Sequence, residues 1–255
     1  MSEKKLLSIV IPAHNEDSCI EETVRAFHTK LKSSDIPHEI LVINDNSKDN
    51  TENILKKLSE EITSVRYINN TPPNGFGFAV RRGLDNFTGD YVAVVMADMS
   101  DSPDDLVKMY NKAIEGNYDC VFGSRFIKGG HVYDYPTYKL YLNRFTNNII
   151  RLMFWMKFND TTNAFKMYSK QTIQGVRPFI SHHFNLTVEL PLKAIIRGYS
   201  YAVIPNSWTN RKTGVSKLKI KEMGSRYFFI ILYCWLEKML SRGDYKKKND
   251  SYSGT

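Results

Sequence analysis

Along the first half of the chain, short β-branched and apolar runs alternate with longer stretches in which apolar positions recur every three or four residues. The short runs predict buried strands and the longer stretches amphipathic helices. Leu7 to Ile11 reads as a strand and Asp17 to Leu31 as the helix after it. Glu39 to Ile43 is a second strand, followed by a polar turn from Asn44 to Asn50 and a helix from Thr51 to Leu58. Val65 to Ile68 is a weaker strand. A helix from Phe78 to Asn86 then leads through Thr88-Gly89-Asp90 into Tyr91 to Met96, the most apolar strand of the set. Asp104 to Glu115 and Cys120 to Gly123 continue the rhythm. Alternation of this kind predicts an α/β fold on a mostly parallel sheet, in one domain without repeats or low-complexity linkers.

Two later stretches break the pattern. Tyr141 to Phe158 mixes a broad apolar surface with Arg144, Arg151 and Lys157, and Tyr227 to Leu236 is an unbroken apolar and aromatic run with basic flanks. The second run is too short to cross a hydrocarbon core of about 30 Å as a helix. It fits either a helix packed on the sheet or one lying among lipid headgroups.

Composition adds one constraint. A net charge of +8 on 255 residues implies an anionic partner, whether nucleic acid, headgroups or a phosphorylated substrate. The three cysteines, Cys19, Cys120 and Cys234, support neither a disulfide framework nor a zinc site. The apolar stretch near the N-terminus is too short for a signal peptide and runs straight into the first strand, so a cytoplasmic location is expected.

Ligands of doubly wound sheets gather at the carboxyl ends of strands. Four polar clusters follow predicted strands here: Pro12 to Glu16, Asn44 to Asp49, Ala97 to Asp101, and Ser124-Arg125. Acids at successive strand ends with an arginine at the last suit a nucleotide and a metal-bound diphosphate. Each cluster also has a plainer reading. Asp45 and Asp49 could shape a turn or cap the helix at Thr51, and Asp98 and Asp101 could cap the helix near Pro103. The Gly75-Phe76-Gly77 step lacks the full glycine fingerprint of a dinucleotide site.

Taken together, SIVIPAHNED, LVINDNSKDNT, NGFGFAVRRGLDNFTGDYVAVVMADMSDSP and FGSRFIKGG resemble the inverting family-two glycosyltransferases. Asp160 to Lys166, Glu189 and Arg211 to Leu218 resemble the dolichol- and polyprenyl-phosphate mannose and glucose synthases in particular. The resemblance covers Leu7 to Leu218. It implies a GT-A-like nucleotide-diphospho-sugar transferase fold over residues 1–218, an amphipathic membrane-interface helix over 219–242 and a basic, disordered tail over 243–255.

It also implies roles. Pro12, His14, Glu16, Ile43 and Asp45 would line the base and ribose pocket, with Asp45 accepting from a base N–H. Ala97 and Asp98 would meet the diphosphate, with Asp98 and Ser100 holding Mg²⁺ or Mn²⁺. Arg125 would face the phosphates, while Arg211, Ser216 and Lys217 would take the acceptor phosphate. The chain departs from the family pattern at Met96, where an aspartate is usual, at His14, where an aromatic is usual, and at Asn44, where an acid is usual.

The implied partners are a nucleotide-diphosphate sugar, a polyprenyl or dolichyl phosphate and the membrane surface, reached peripherally or through a membrane-spanning partner subunit. A saccharide hydroxyl as acceptor would instead need a general base, for which Asp101 and Glu189 are candidates. Met96 keeps an inactive, lipid-binding homologue in view. Nucleic acid is not an expected partner, because acids sit where a phosphate backbone would be repelled.

Overall fold

The computed structural model describes residues 4–209 and 220–247. In chain order the elements are β1 (Leu7–Ala13), α1 (Ile20–Ser33), β2 (His38–Asn44), α2 (Thr51–Glu61), β3 (Val65–Asn69) and α3 (Phe76–Asn86). There follow β4 (Tyr91–Val94), α4 (Pro103–Gly116), β5 (Cys120–Ser124), β6 (His131–Tyr133) and α5 (Thr137–Phe154). The last are β7 (Lys166–Ser169), α6 (Lys170–Gly175), α7 (Leu186–Ile196), β8 (Tyr201–Pro205), β9 (Ser207–Thr209) and α8 (Ile220–Leu240).

Seven strands form one sheet in the order β3-β2-β1-β4-β7-β5-β8. Every pairing in it is parallel except those of β7, which runs antiparallel to both β4 and β5. Parallel strands put all their carboxyl ends on one edge, so the loops after β1, β2, β4 and β5 share that edge. Because β7 runs the other way, its first residue lies there too: Lys166 pairs with Val94 at the end of β4 and with Phe122 in β5. A small parallel pair, β6 with β9, stands beside this edge.

Side chains alternate across the sheet as a period of two requires. Leu7, Ile9 and Ile11 pack with Phe27, Leu31, Leu55 and Met109 on one face, while Val10, Leu41 and Ile43 pack with Leu84, Phe154, Leu190 and Ile230 on the other. The result is three layers, with helices covering both faces.

Two element boundaries move for local reasons. α1 starts at Ile20 rather than Asp17 because Asn15 adopts a positive φ of 54° and Glu16 O first closes a turn onto Cys19 N. β4 stops at Val94 because the Met96 N–H goes to the Asp101 carboxylate instead of a neighbouring strand.

The expected C-terminal helix is present as α8, but its polarity is arranged differently from an ordinary amphipathic helix. Ile230, Ile231 and Cys234 face the core, and Phe228, Phe229, Leu232, Leu236, Met239 and Leu240 face outward. Glu237 of this helix is buried and forms a two-pronged ion pair with Arg197 at 2.7 and 2.9 Å. Lys238 Nζ donates to Phe154 O at 2.6 Å, tying α8 to the end of α5. Residues beyond α8 also join the body: Lys247 Nζ reaches both Asp119 oxygens at 3.0 Å, within the stretch expected to be a disordered tail. No helix among the described residues is long and apolar enough to cross a membrane.

Candidate active site

The nucleotide end is built from the register of β1 and β2. Pro12 lies opposite Ile43 and Ala13 opposite Asn44, and the ladder runs one step further, with Asp45 N donating to Ala13 O at 2.7 Å. His14 Nδ1 lies 2.6 Å from Asp45 O, so its ring braces the two strand ends. The Asp45 carboxylate is buried and already receives three donors: Asn70 Nδ2 at 2.8 Å, Asn74 Nδ2 at 2.9 Å and Gly75 N at 2.7 Å. It therefore organises the loop leading into α3, a job the sequence did not assign to it. Asp49 follows the plainer reading, since its Oδ1 accepts from Thr51 N at 3.0 Å at the start of α2. Glu16 N is held by Thr51 Oγ1 at 3.0 Å.

The glycines at the start of α3 serve packing. A Cβ on Gly77 would stand 2.4 Å from the His182 backbone carbon, so only glycine lets α3 approach the segment before α7. Phe76 and Phe184 stack across the same junction at 3.9 Å.

The loop after β4 carries the acidic cluster. Thr23 Oγ1 fixes Ala97 O at 2.7 Å, and Met99 takes a positive φ of 58°, which turns the chain sharply between Asp98 and Ser100. Asp98 is half-buried and its Oδ1 accepts from Ser100 N at 3.2 Å. Asp101 is buried, with Oδ2 accepting from Met96 N at 3.0 Å. Burial pushes its carboxyl up to about 7, with Asp98 adding to the effect and Arg125 opposing it. Neither acid caps α4; Ser102 does, accepting from Asp105 N. The Cys19 thiol donates to Glu16 Oε2 at 3.3 Å, and it is raised to about 12 first by burial, then by Glu16, with a smaller push from Asp98. Parallel pairing of β1 with β4 sets the first and fourth strand ends side by side.

Arg125 is not open to solvent. Its Nε and Nη2 meet the two Asp160 oxygens at 2.8 and 2.7 Å, and its backbone N–H reaches Asp160 at 2.9 Å. Burial works against the guanidinium charge, but Asp160 outweighs it and holds Arg125 above its ordinary value. Beneath this pair Lys166 donates to the carbonyls of Thr161, Asn163 and Thr187. Burial pulls its ammonium down to about 7, against the attraction of Asp160.

Glu189, fully buried, accepts from Ile180 N at 2.8 Å, Ser181 N at 2.6 Å and Lys193 Nζ at 2.6 Å. Its oxygens hold the approach to α7. Arg211, Ser216 and Lys217 lie outside the described residues. Missing from the sequence reading of the site were roles for Asn70, Asn74, Asp160 and Lys166. Only Asp160 and Lys166 carried a signal, as the ends of the DTTNAFK motif.

No group of three or more His, Cys, Asp or Glu residues among the described ones could hold a metal by itself. Asp98 with Ser100 offers one carboxylate and one hydroxyl. That donor set fits a hard cation of the Mg²⁺ or Mn²⁺ type that takes its other oxygens from a diphosphate and water, the usual mode for Mg²⁺ at phosphates.

Acid-bearing loops gathered at the carboxyl edge of a mostly parallel sheet with helices on both faces give the chain a GT-A-like fold. The chain belongs to the family described as Glycosyl transferase family 2, which residues 8–177 match. It is 29% identical over 218 residues to the dolichol-phosphate mannosyltransferase of Pyrococcus furiosus, covering 84% of this chain and 60% of that protein. It is 27% identical over 216 residues to the polyprenol monophosphomannose synthase of Mycolicibacterium smegmatis, covering 82% and 80% of the two chains. The chain thus spans less than two thirds of the archaeal relative's length. Among solved structures, the Mycobacterium tuberculosis glucosyl-3-phosphoglycerate synthase bound to Mn²⁺, UDP and glucosyl-3-phosphoglycerate superposes with a TM-score of 0.67 at 15% identity, over 92% of this chain and 80% of that one. The same enzyme with Mg²⁺ and UDP superposes with a TM-score of 0.66 at 16% identity, over 92% and 79%. At such identity the likeness speaks for the fold.

Proposed function

We propose that the chain transfers a hexose, with inversion, from a nucleotide-diphosphate sugar of the GDP-mannose or UDP-sugar type to a polyprenyl or dolichyl phosphate. The observation that carries this reading is the shared edge of Asp45, Glu16, Asp98, Ser100 and Arg125. Asp45, pinned by three donors, presents its one remaining lone pair, on Oδ2, to a base N–H, with Pro12, His14, Glu16 and Ile43 around it. Ala97, Asp98 and Ser100 lie where the diphosphate would sit, and a bound Mg²⁺ or Mn²⁺ would neutralise charge on the departing nucleoside diphosphate. Arg125 stands beside the diphosphate end with its charge already balanced by the two-pronged pair with Asp160, which fixes the position of its guanidinium. The relatives' names, a dolichol-phosphate mannosyltransferase and a polyprenol monophosphomannose synthase, favour the lipid phosphate acceptor.

The acceptor chemistry agrees. A phosphate monoester has a second pKa of about 6 and is largely dianionic at neutral pH, so it attacks without a strong base. Asp101 and Glu189, the two base candidates for a saccharide acceptor, both have carboxylate oxygens engaged by the fold's own N–H groups. The resemblance assigns Arg211, Ser216 and Lys217 to the acceptor phosphate.

Docking at the bilayer is supported by the outward faces of α5 and α8. Tyr141, Phe145 and Trp155 of the α5 region are 70%, 65% and 90% exposed, and Phe228 and Leu240 of α8 are 68% and 70% exposed. Arg144, Arg151 and Lys157 flank this surface, matching anionic headgroups. Nothing observed argues for a membrane-spanning partner subunit.

Thermal unfolding with GDP-mannose or UDP-glucose, each with and without Mn²⁺, tests the donor site. Saturating donor with Mn²⁺ should raise the Tm by about 5–10 °C. Asp98→Ala should lose the Mn²⁺-dependent part of the rise while keeping its own unliganded Tm. An equal Mn²⁺-dependent rise in wild type and Asp98→Ala would contradict the assignment.

A further inference from the structure

Among the described residues, three buried side-chain polar atoms have no hydrogen-bond partner: Thr161 Oγ1, Ser181 Oγ and Asn185 Oδ1. All three fall in the segments 160–166 and 181–187, which Lys166 joins through Thr161 O at 3.0 Å and Thr187 O at 3.2 Å. Buried polar atoms are nearly always paired in folded proteins, and each exception has a cause to be found. Three exceptions at one junction point to a shared hydrogen-bonding occupant.

Asn185 says most about that occupant. It stands at the cap position of α7, where asparagine ordinarily accepts from the first helical N–H groups, yet its side chain makes no such bond. Its Nδ2 instead donates to Arg226 O of α8 at 3.4 Å, which leaves Oδ1 as the unused atom. An amide oxygen only accepts, so its missing partner is an O–H or N–H and not an anion. The hydroxyls of Thr161 and Ser181 can either give or take a hydrogen bond. One acceptor and two hydroxyls match a polyhydroxylated ligand.

The junction has the right neighbours. On one side Phe184 stacks on Phe76 at the head of α3, next to Gly75, which Asp45 holds. On the other, the 160–166 segment carries Asp160, which grips Arg125. It is therefore flanked by the nucleotide end and the phosphate end of the site. We infer that the hexose of the donor is read here, with Asn185 Oδ1 accepting from one of its hydroxyls. This rests on the donor reading proposed above. The three atoms are closed off in the free protein, so the sugar reaches Asn185 Oδ1 only if the 181–185 segment, which Glu189 and the Gly77 contact hold, moves aside.

Calorimetric titration of wild type, Asn185→Ala and Asn185→Ser with GDP, GDP-mannose, UDP and UDP-glucose in Mn²⁺ separates the sugar from the nucleotide. For the pair that wild type binds, Asn185→Ala should keep the affinity for the bare nucleotide and lose about tenfold for the sugar nucleotide. Asn185→Ser, which retains a hydroxyl, should lose less. An equal change for nucleotide and sugar nucleotide would overturn the inference, as would a wild type that gains nothing from the sugar. A wild type that binds none of the four contradicts the donor reading instead.

Discussion

Asp101 shows how one carboxylate can be mistaken for another. It stands three residues after Asp98 in the acidic cluster, and the usual first acid of that cluster is Met96. The two facts together invite it into the metal site or the role of base. The fold uses it otherwise, as the acceptor for Met96 N that bends the chain after β4. A carboxyl held near 7 rather than near 4 stays protonated in the folded state while the unfolded chain ionises. Stability is therefore unaffected below the unfolded value, falls as the pH rises from about 4 to about 7, and stays reduced above that. Asp101→Asn keeps an acceptor for Met96 N and cannot ionise. It should match wild type in Tm near pH 4 and exceed it by a margin that grows up to about pH 7 and then levels off, with transfer activity within about threefold of wild type at pH 7.5. Loss of activity by about a hundredfold or more, with the Tm gain intact, would make Asp101 the catalytic base after all. Asp160 is the opposite case. Its position in the DTTNAFK motif was visible, but its partnership with Arg125 was not, because those residues are 35 positions apart and meet only through the reversed direction of β7.

At the scale of elements, α5 and α8 are set apart by what they leave uncovered. Each buries one face in the body, through Ile150 and Phe154 for α5 and Ile230 and Cys234 for α8, and each turns further aromatic and aliphatic side chains outward. The Arg197–Glu237 pair and the Lys238 bond to Phe154 O fix α8 in place, so the two outward faces belong to one rigid surface. Phe145 and Leu152 are 65% and 69% exposed, so charging them removes little from the core. The double change Phe145→Glu with Leu152→Glu should leave the Tm within about 2 °C of wild type and weaken cosedimentation with anionic vesicles at least about tenfold. Undiminished vesicle binding would assign docking to another surface. The strands and helices around the sheet were legible because their periodicity is strong. The ends of α1 and β4 were not, because a positive φ at Asn15 and a side-chain acceptor at Asp101 decide them. The Tyr227 to Leu236 run is apolar on every side of a helix, so it carries no periodicity to say which side faces the core.

For the whole molecule, the central point is that sheet direction gathers chemistry contributed by distant parts of the chain. Parallel strands bring Glu16, Asp45, Asp98 and Arg125 to one edge, and antiparallel β7 adds Lys166 and the Asp160 loop beneath them. In the proposed assembly the lipid-facing helices share a body with that edge, so a phosphate carried by a bilayer-anchored chain can meet a nucleotide sugar drawn from solution. The most direct measurement is mass spectrometry of the lipid after incubating the purified protein with polyprenyl phosphate in anionic vesicles, Mn²⁺ and, in separate reactions, GDP-mannose and UDP-sugars. The account predicts a polyprenyl phosphate heavier by one hexose with at least one donor, and none with Asp98→Ala. Nucleotide sugar that is left unconsumed in every reaction, or consumed with no hexose on the lipid, would contradict it.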